Sequence, residues 1–364
     1  MSSGARDVMN SDMPLSPRAL ALLFALPLSC VRAPTNMPLP TPPRFQTPII
    51  IAHRGASGHR PEHTLEAYGL AIEMGADFIE PDLVMTKDRV LVARHENEIG
   101  GTTDVATKFP GRKRSAVIDG ATITGWFTED FTFADLRTLR AKERLASRSH
   151  EFDGQFAVPT FDEVLAFVRQ QERATGRSIG VYPETKHPTY FTELGLPLED
   201  SLLASLERHG FRSRDDAVFI QSFETGNLRA LRKQSTIRLI QLIDEQGHPA
   251  DFPRAGDRRS YRDLVTPAGL REIATYADGI GVHKRLVIPS TPGGTTLGAP
   301  TSLVLDAHAA GLKVHVWTLR SDPPFLAPDY AHDATAEWRQ FAALGVDGIF
   351  GDFPDVGVKA LRSK

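Results

Sequence analysis

The sequence predicts an α/β fold, a TIM (β/α)8 barrel. Short apolar runs alternate with helical patterns along the chain, and there are eight such units between residues 48 and 362. Strands separated by helices run parallel, because each helix carries the chain back to the starting end of the sheet. A doubly wound open sheet is the alternative arrangement of the same pattern.

Taken in order, the first strand is expected at 49–53 (IIIAH), followed by a helix over 63–74. The second is expected at 78–84, and a long connection separates it from a helix at 161–175. Further strands are expected at 179–186, 218–223, 237–243, 279–283, 313–319 and 347–352, with helices at 224–234, 302–310 and 333–344. The strand runs are short and rich in Ile, Val and Leu; the helix runs repeat apolar residues every three or four positions. The long connection, residues 97–158 or thereabouts, reads as a small insertion after the second β/α region, with a Gly-rich loop and a short amphipathic helix around 133–142. A loop following a barrel strand lies on the active-site rim, so the insertion is expected to decide which substrates are accepted.

Composition narrows the function. A formal charge of −3 and the absence of a Lys/Arg stripe interleaved with aromatics give no support to nucleic-acid binding. The only cysteine is Cys30, which excludes an intramolecular disulfide and a cysteine-rich zinc site. Residues 1–33 read as a signal peptide: Arg18 precedes the apolar run ALALLFALPLSC, which is too short to span a membrane. Cleavage after Val31-x-Ala33 is expected, with lipidation of Cys30 as the alternative and Met13 as a second candidate start. Export, to a periplasm, follows from this reading. Residues 34–47 form a Pro-rich linker to the barrel domain at 48–362.

Strand parity sorts the polar residues, since successive side chains point to opposite faces. Glu80 and Asp82 share one face of FIEPDLV, and Tyr182, Glu184 and Lys186 share one face of GVYPETK. The same argument sends His53, Gln221, Gln241, His283, His315, Trp317 and Asp352 into the barrel. Interiors of this kind are normally filled by branched apolar side chains, so polar groups near strand ends mark a site. Glu80, Asp82 and Glu184 would be three buried carboxylates that cannot all stay ionised without a cation, and all-oxygen ligands favour Ca²⁺ or Mg²⁺. The alternative is that they merely pair with Arg54 and Lys186. His53 and His95 suit proton transfer near neutrality, and Arg54 and Lys186 suit an anionic oxygen such as that of phosphate.

These residues carry a resemblance. AHRGASGHRPEHTLEAYGLAIEMGADFIEPDLVMTKDRVLVARHE is similar to the glycerophosphodiester phosphodiesterase family, with its HRG, P-E-N-T, E-x-D, T-x-D and V-x-x-H-D pattern; PETK, QSF, VWT and DGIFGDFPD continue the match over residues 48–357 or thereabouts. ITGWFTEDFTFADLRTLRAKER within the insertion resembles the periplasmic, calcium-using branch. The resemblance implies a TIM barrel that hydrolyses small-molecule glycerophosphodiesters, such as glycerophosphocholine, to sn-glycerol 3-phosphate and an alcohol. It implies catalytic roles for His53 and His95, metal binding by Glu80, Asp82 and Glu184, phosphate contacts from Arg54 and Lys186, an acidic neighbour in Glu62, and pocket aromatics in Trp317 and Phe350. His63 departs from the usual Asn, Glu96 from Asp, and Gly351 from Thr. Alternative readings are a phospholipase D-like or phosphoinositide-cleaving relative on the same barrel, and a non-catalytic envelope binding protein.

Overall fold

A computed structural model describes residues 47–362. The signal peptide expected at 1–33, including Cys30 and Met13, and nearly all of the linker lie outside these residues. The strands are β1 (Ile49–His53), β2 (Phe78–Glu80), β3 (Asp82–Met85), β4 (Leu91–Ala93), β5 (Arg114–Ile118), β6 (Ala121–Gly125), β7 (Gly180–Val181), β8 (Glu184–Thr185), β9 (Phe219–Ser222), β10 (Arg238–Ile243), β11 (Gly279–His283), β12 (Lys313–Leu319) and β13 (Gly348–Gly351).

Parallel pairing runs from β1 through β2 to β7, and from β3 through β8, β9, β10, β11, β12 and β13 back to β1. β2 and β3 are two halves of one barrel strand, and β7 and β8 are two halves of the next, so the ring closes with eight. The strands expected at 78–84 and 179–186 are therefore interrupted. Pro81 and Pro183 stand at the interruptions, where a residue without an N–H cannot donate to the ladder. Helices cover the outside, among them Leu65–Met74, Phe161–Thr175, Thr225–Gln234, Leu303–Ala309 and Ala334–Ala343, close to the expected spans.

The first of these shows how sequence sets a boundary. Thr64 adopts extended backbone, and its hydroxyl accepts from the Ala67 amide at 3.1 Å, so the helix begins at Leu65 rather than 63. Gly75 ends it in the left-handed conformation, φ 100°. Outward side chains such as Ile50, Ile79, Val181, Ile220, Ile280, Val314 and Ile349 meet the helices in one large core.

Inside the barrel, Ile51, Phe78, Tyr182, Phe219, Ile240 and Phe350 form a separate apolar layer. This layer is a floor. Two residues further along their strands lie His53, Glu80, Glu184, Gln221 and Asp352, all facing the same way by parity. Gly180 makes room in the floor: a Cβ there would lie 2.1 Å from the Phe78 ring, its partner across β2 and β7.

One inward assignment fails. Ile240 belongs to the floor and Leu242 lines the cavity above it, so Gln241 points out toward the helices. Its Nε2 donates to the carbonyls of Phe223 and Leu242 at 3.0 Å, and its Oε1 accepts from the Tyr276 hydroxyl at 2.9 Å. A glutamine whose hydrogen bonds are met can sit in an apolar layer, which polarity alone does not reveal.

The insertion leaves β3 through the antiparallel strand β4 and includes the β5–β6 hairpin. The helix expected around 133–142 spans only Phe133–Leu136. Ala141 is instead drawn into an extended bridge with Thr103.

Candidate active site

His53 ends β1, and its Nδ1 lies 2.6 Å from Asp352 Oδ1. Arg54 Nε donates to His53 Nε2 at 3.3 Å, which fits a ring protonated on Nδ1 with the Nε2 lone pair as acceptor. Burial, then the Arg54 charge, lowers the imidazole to about 3 against the pull of Asp352. Although burial opposes it, the contact with His53 and the charges of Arg320 and Arg148 hold the Asp352 carboxyl well below the usual range. The pair is thus neutral histidine and ionised aspartate.

His95 follows β4 and has the same construction: Nδ1 meets Glu96 Oε1 at 2.9 Å and Nε2 lies 3.5 Å from Lys186 Nζ. Burial, with Arg54 and Lys186, holds it neutral. Glu96 in turn contacts His187 Nε2 at 2.8 Å.

Glu80, Asp82 and Glu184 each offer an oxygen within 4.8 Å of the others, and Glu80 and Glu184 line one cavity with the two histidines. Glu80 accepts from the Arg54 amide at 2.8 Å and from Gln221 Nε2 at 3.0 Å; Glu184 pairs with Lys186 at 3.0 Å. The pairing alternative is therefore partly realised, but it does not satisfy the cluster. No donor reaches Asp82 Oδ1, although that atom is buried. Burial, followed by the neighbouring carboxylates, pushes Glu80 well up; burial outweighs Lys186 and raises Glu184 to about 8, and it raises Asp82 too. Three carboxyls that resist ionisation around an unpartnered oxygen fit a hard divalent cation, which would supply the missing charge.

Arg54 also donates to Glu62 Oε2 at 3.0 Å. Trp317 and Phe350 line a cavity of about 180 Å³ with His53, His95, Glu80 and Glu184. Trp317 is fixed by its Nε1, 3.0 Å from the Gly281 carbonyl, and Phe350 packs edge-on to Tyr182 with ring centres 5.0 Å apart. The structure therefore brings all nine sequence-derived site residues to one end of the barrel. His63, buried and in the left-handed region at φ 58°, donates or accepts at both ring nitrogens: Nε2 to Asp82 Oδ2 at 2.9 Å and Nδ1 to the Tyr68 hydroxyl at 2.8 Å. Arg144, Arg148, Asp119 and His187 also reach the site's inner network; Arg144 closes the segment ITGWFTEDFTFADLRTLRAKER, which assigned it no role, and no motif in the sequence pointed to the other three.

The sequence model of the Glycerophosphoryl diester phosphodiesterase family matches residues 53–356. The chain belongs to that family. Among curated relatives, a glycerophosphodiester phosphodiesterase of Arabidopsis thaliana is 35% identical over 91% of this chain and 89% of its own length. Those of Treponema pallidum and Haemophilus influenzae are 32% and 30% identical, each over 86% of this chain and 91% and 90% of theirs. The chain is thus a phosphoric diester hydrolase, a glycerophosphodiester phosphodiesterase. Solved structures share its fold: an Oleispira antarctica phosphodiesterase in complex with the product sn-glycerol-3-phosphate (TM-score 0.59, 20% identity, 87% of this chain and 98% of that one) and a glycerophosphodiester phosphodiesterase of Agrobacterium tumefaciens (0.56, 20%, 86% and 99%). Among the described residues, no helix is long and apolar enough to cross a membrane.

Proposed function

We propose that this family member cleaves glycerophosphodiesters such as glycerophosphocholine and glycerophosphoethanolamine to sn-glycerol 3-phosphate and the free alcohol, using calcium, or alternatively magnesium, and a two-histidine acid/base pair. The observation that carries this reading is the site's symmetry: two neutral imidazoles, each backed by a carboxylate at Nδ1, flank a buried acidic triad with an unpartnered oxygen.

Glu80, Asp82 and Glu184 would hold the cation, which supplies Lewis-acid polarisation of a phosphoryl oxygen. Arg54 and Lys186 offset charge on the non-bridging oxygens. One imidazole takes the proton of the attacking hydroxyl, either the glycerol 2-hydroxyl or water, as its oxygen bonds to phosphorus. The other, protonated from solvent when the anionic phosphodiester binds beside it, gives that proton to the departing alkoxide as the phosphorus–oxygen bond breaks. Where the 2-hydroxyl attacks, the cyclic phosphate is opened by water with the roles exchanged. The shift that holds both rings neutral is opposed when an anionic phosphodiester binds beside them. Trp317 and Phe350 present apolar surface to the substrate's carbon chain.

The test is release of choline from glycerophosphocholine by the purified protein, with and without chelator and with calcium or magnesium restored. Metal-dependent release of choline and glycerol 3-phosphate in equal amounts is expected. Full activity in excess chelator would remove the cation from the reading.

A further inference from the structure

The insertion does more than border the mouth of the barrel. Arg148, whose side chain is 5% exposed, donates from Nη2 to Asp352 Oδ2 at 2.6 Å. It also grips Asp322 through Nε at 3.0 Å and Nη2 at 2.6 Å, and reaches the Ser57 carbonyl through Nη1 at 3.0 Å. Arg144 Nε donates to Glu62 Oε2 at 2.9 Å, the oxygen that also takes Arg54. Asp119, at the turn of the β5–β6 hairpin, lies 2.6 Å from His187 Nδ1, and His187 bridges to Glu96.

The three contacts share one logic. His53, Arg54 and His95 each have a carboxylate behind them, namely Asp352, Glu62 and Glu96, and each carboxylate is fixed by a group that the insertion supplies or holds. Resting on the assignment of His53 and His95 as the proton-transfer pair, we propose that the insertion is part of the catalytic apparatus, with Arg148 and Asp119 as positioning residues for His53 and His95 respectively.

The physical reason is that a carboxylate orients an imidazole only as firmly as it is itself held. Asp352 gives Oδ1 to His53, while Oδ2 takes Arg148 and Arg320, the latter at 2.8 Å. Without Arg148 the carboxylate loses one of the two donors that set its plane. Glu96 is half exposed, so its second oxygen depends on His187 to keep the side chain from turning to solvent. Burial lowers the His187 ring, but its hydrogen bonds to Asp119 and Glu96 outweigh it and raise the group to about 9. Arg144 and Arg148 line neither the catalytic cavity nor its neighbour beside Glu184, so head-group contact is not what places them; Asp119 and His187 do line that neighbour, so for Asp119 the split between kcat and substrate preference is what separates positioning from head-group contact.

The test compares full-length Arg148→Met, Arg148→Lys and Asp119→Asn with His53→Ala and His95→Ala, using the glycerophosphodiesters of choline, ethanolamine and glycerol. Arg148→Met and Asp119→Asn are expected to lower kcat by about tenfold on every substrate, with KM and the preference order unchanged. Arg148→Lys should recover part of the loss. Folded variants with wild-type kcat, or with an altered preference order at unchanged kcat, would overturn the inference and make the insertion a reader of head groups. Asp119 sits on an exposed turn and its replacement is isosteric, so that variant decides the matter if Arg148→Met does not fold. Active alanine variants of the histidines would mean that their assignment fails; inactive ones beside fully active positioning variants would mean that the inference alone fails.

Discussion

Asp82 is held on one side only: His63 Nε2 lies 2.9 Å from Oδ2, and Oδ1 is buried without a donor. His63 stands where the P-E-N-T pattern of the resemblance leads one to expect Asn, and its other nitrogen is engaged by Tyr68, so the ring cannot rotate away. His63→Ala should weaken divalent-cation binding by about tenfold or more, and His63→Asn, which suits the left-handed backbone, should recover part of it. Calorimetric titration of the purified variants measures this. An unchanged dissociation constant in the alanine variant would show that Asp82 needs no brace.

Metal binding should depend on pH in a defined direction. The Glu184 carboxyl, raised chiefly by burial, titrates at about 8 in the folded chain against 4.5 for a free group. Its protonated form therefore stabilises the metal-free fold; that contribution is fully present below about pH 4.5 and is lost as pH rises through about 8. A cation displaces the same proton. The increase in Tm on adding saturating calcium to chelated protein should be small near pH 5 and grow toward pH 8. A calcium-induced shift that does not vary over this range would place the three carboxyls in the ionised state throughout.

Removing either imidazole should disable the chemistry without unfolding the barrel. His53→Ala and His95→Ala are each expected to lose about two to four orders of magnitude in kcat while keeping the wild-type circular dichroism spectrum. Near wild-type turnover in either would exclude that residue from proton transfer.

The floor of the site tolerates no added atom at Gly180. Gly180→Ala puts a methyl group 2.1 Å from the Phe78 ring. Phe78 also packs against Tyr182 and Phe219, with ring centres 6.2 and 5.4 Å away, so it has little room to retreat. A loss of about 1–3 kcal/mol is expected in urea unfolding. Equal midpoints for variant and wild type would show that the floor repacks freely.

The order of strands and helices was legible because alternating apolar runs report it directly, and the acidic triad was legible because parity carries across Pro81 and Pro183 even though the ladder breaks there. Gln241 was misassigned because β10 is apolar on both faces, so a single polar residue gave no phase; Tyr276 and three backbone carbonyls, invisible in the local sequence, decide its direction. His63 was noticed as a departure, but its contact with Asp82 was not foreseeable from a turn motif. Arg148 escaped altogether, and Arg144, although it closes the segment ITGWFTEDFTFADLRTLRAKER, carried no role there. They lie in a polar segment full of arginines, and only the path of the insertion distinguishes these two from the rest.

The His53–Asp352 contact joins residues 299 positions apart and lies across the seam where β1 meets β13. Most of the reacting groups lie between residues 53 and 186, yet the carboxylate that sets the His53 tautomer is synthesised well after all of them. Joining the two ends of the ring and arming this histidine are a single event. A partly made or partly refolded chain can hold helices and the acidic triad and still lack an oriented proton acceptor at position 53. Regain of turnover after dilution from denaturant therefore reports closure of the seam, a contact of very long range, and trails the recovery of helical signal.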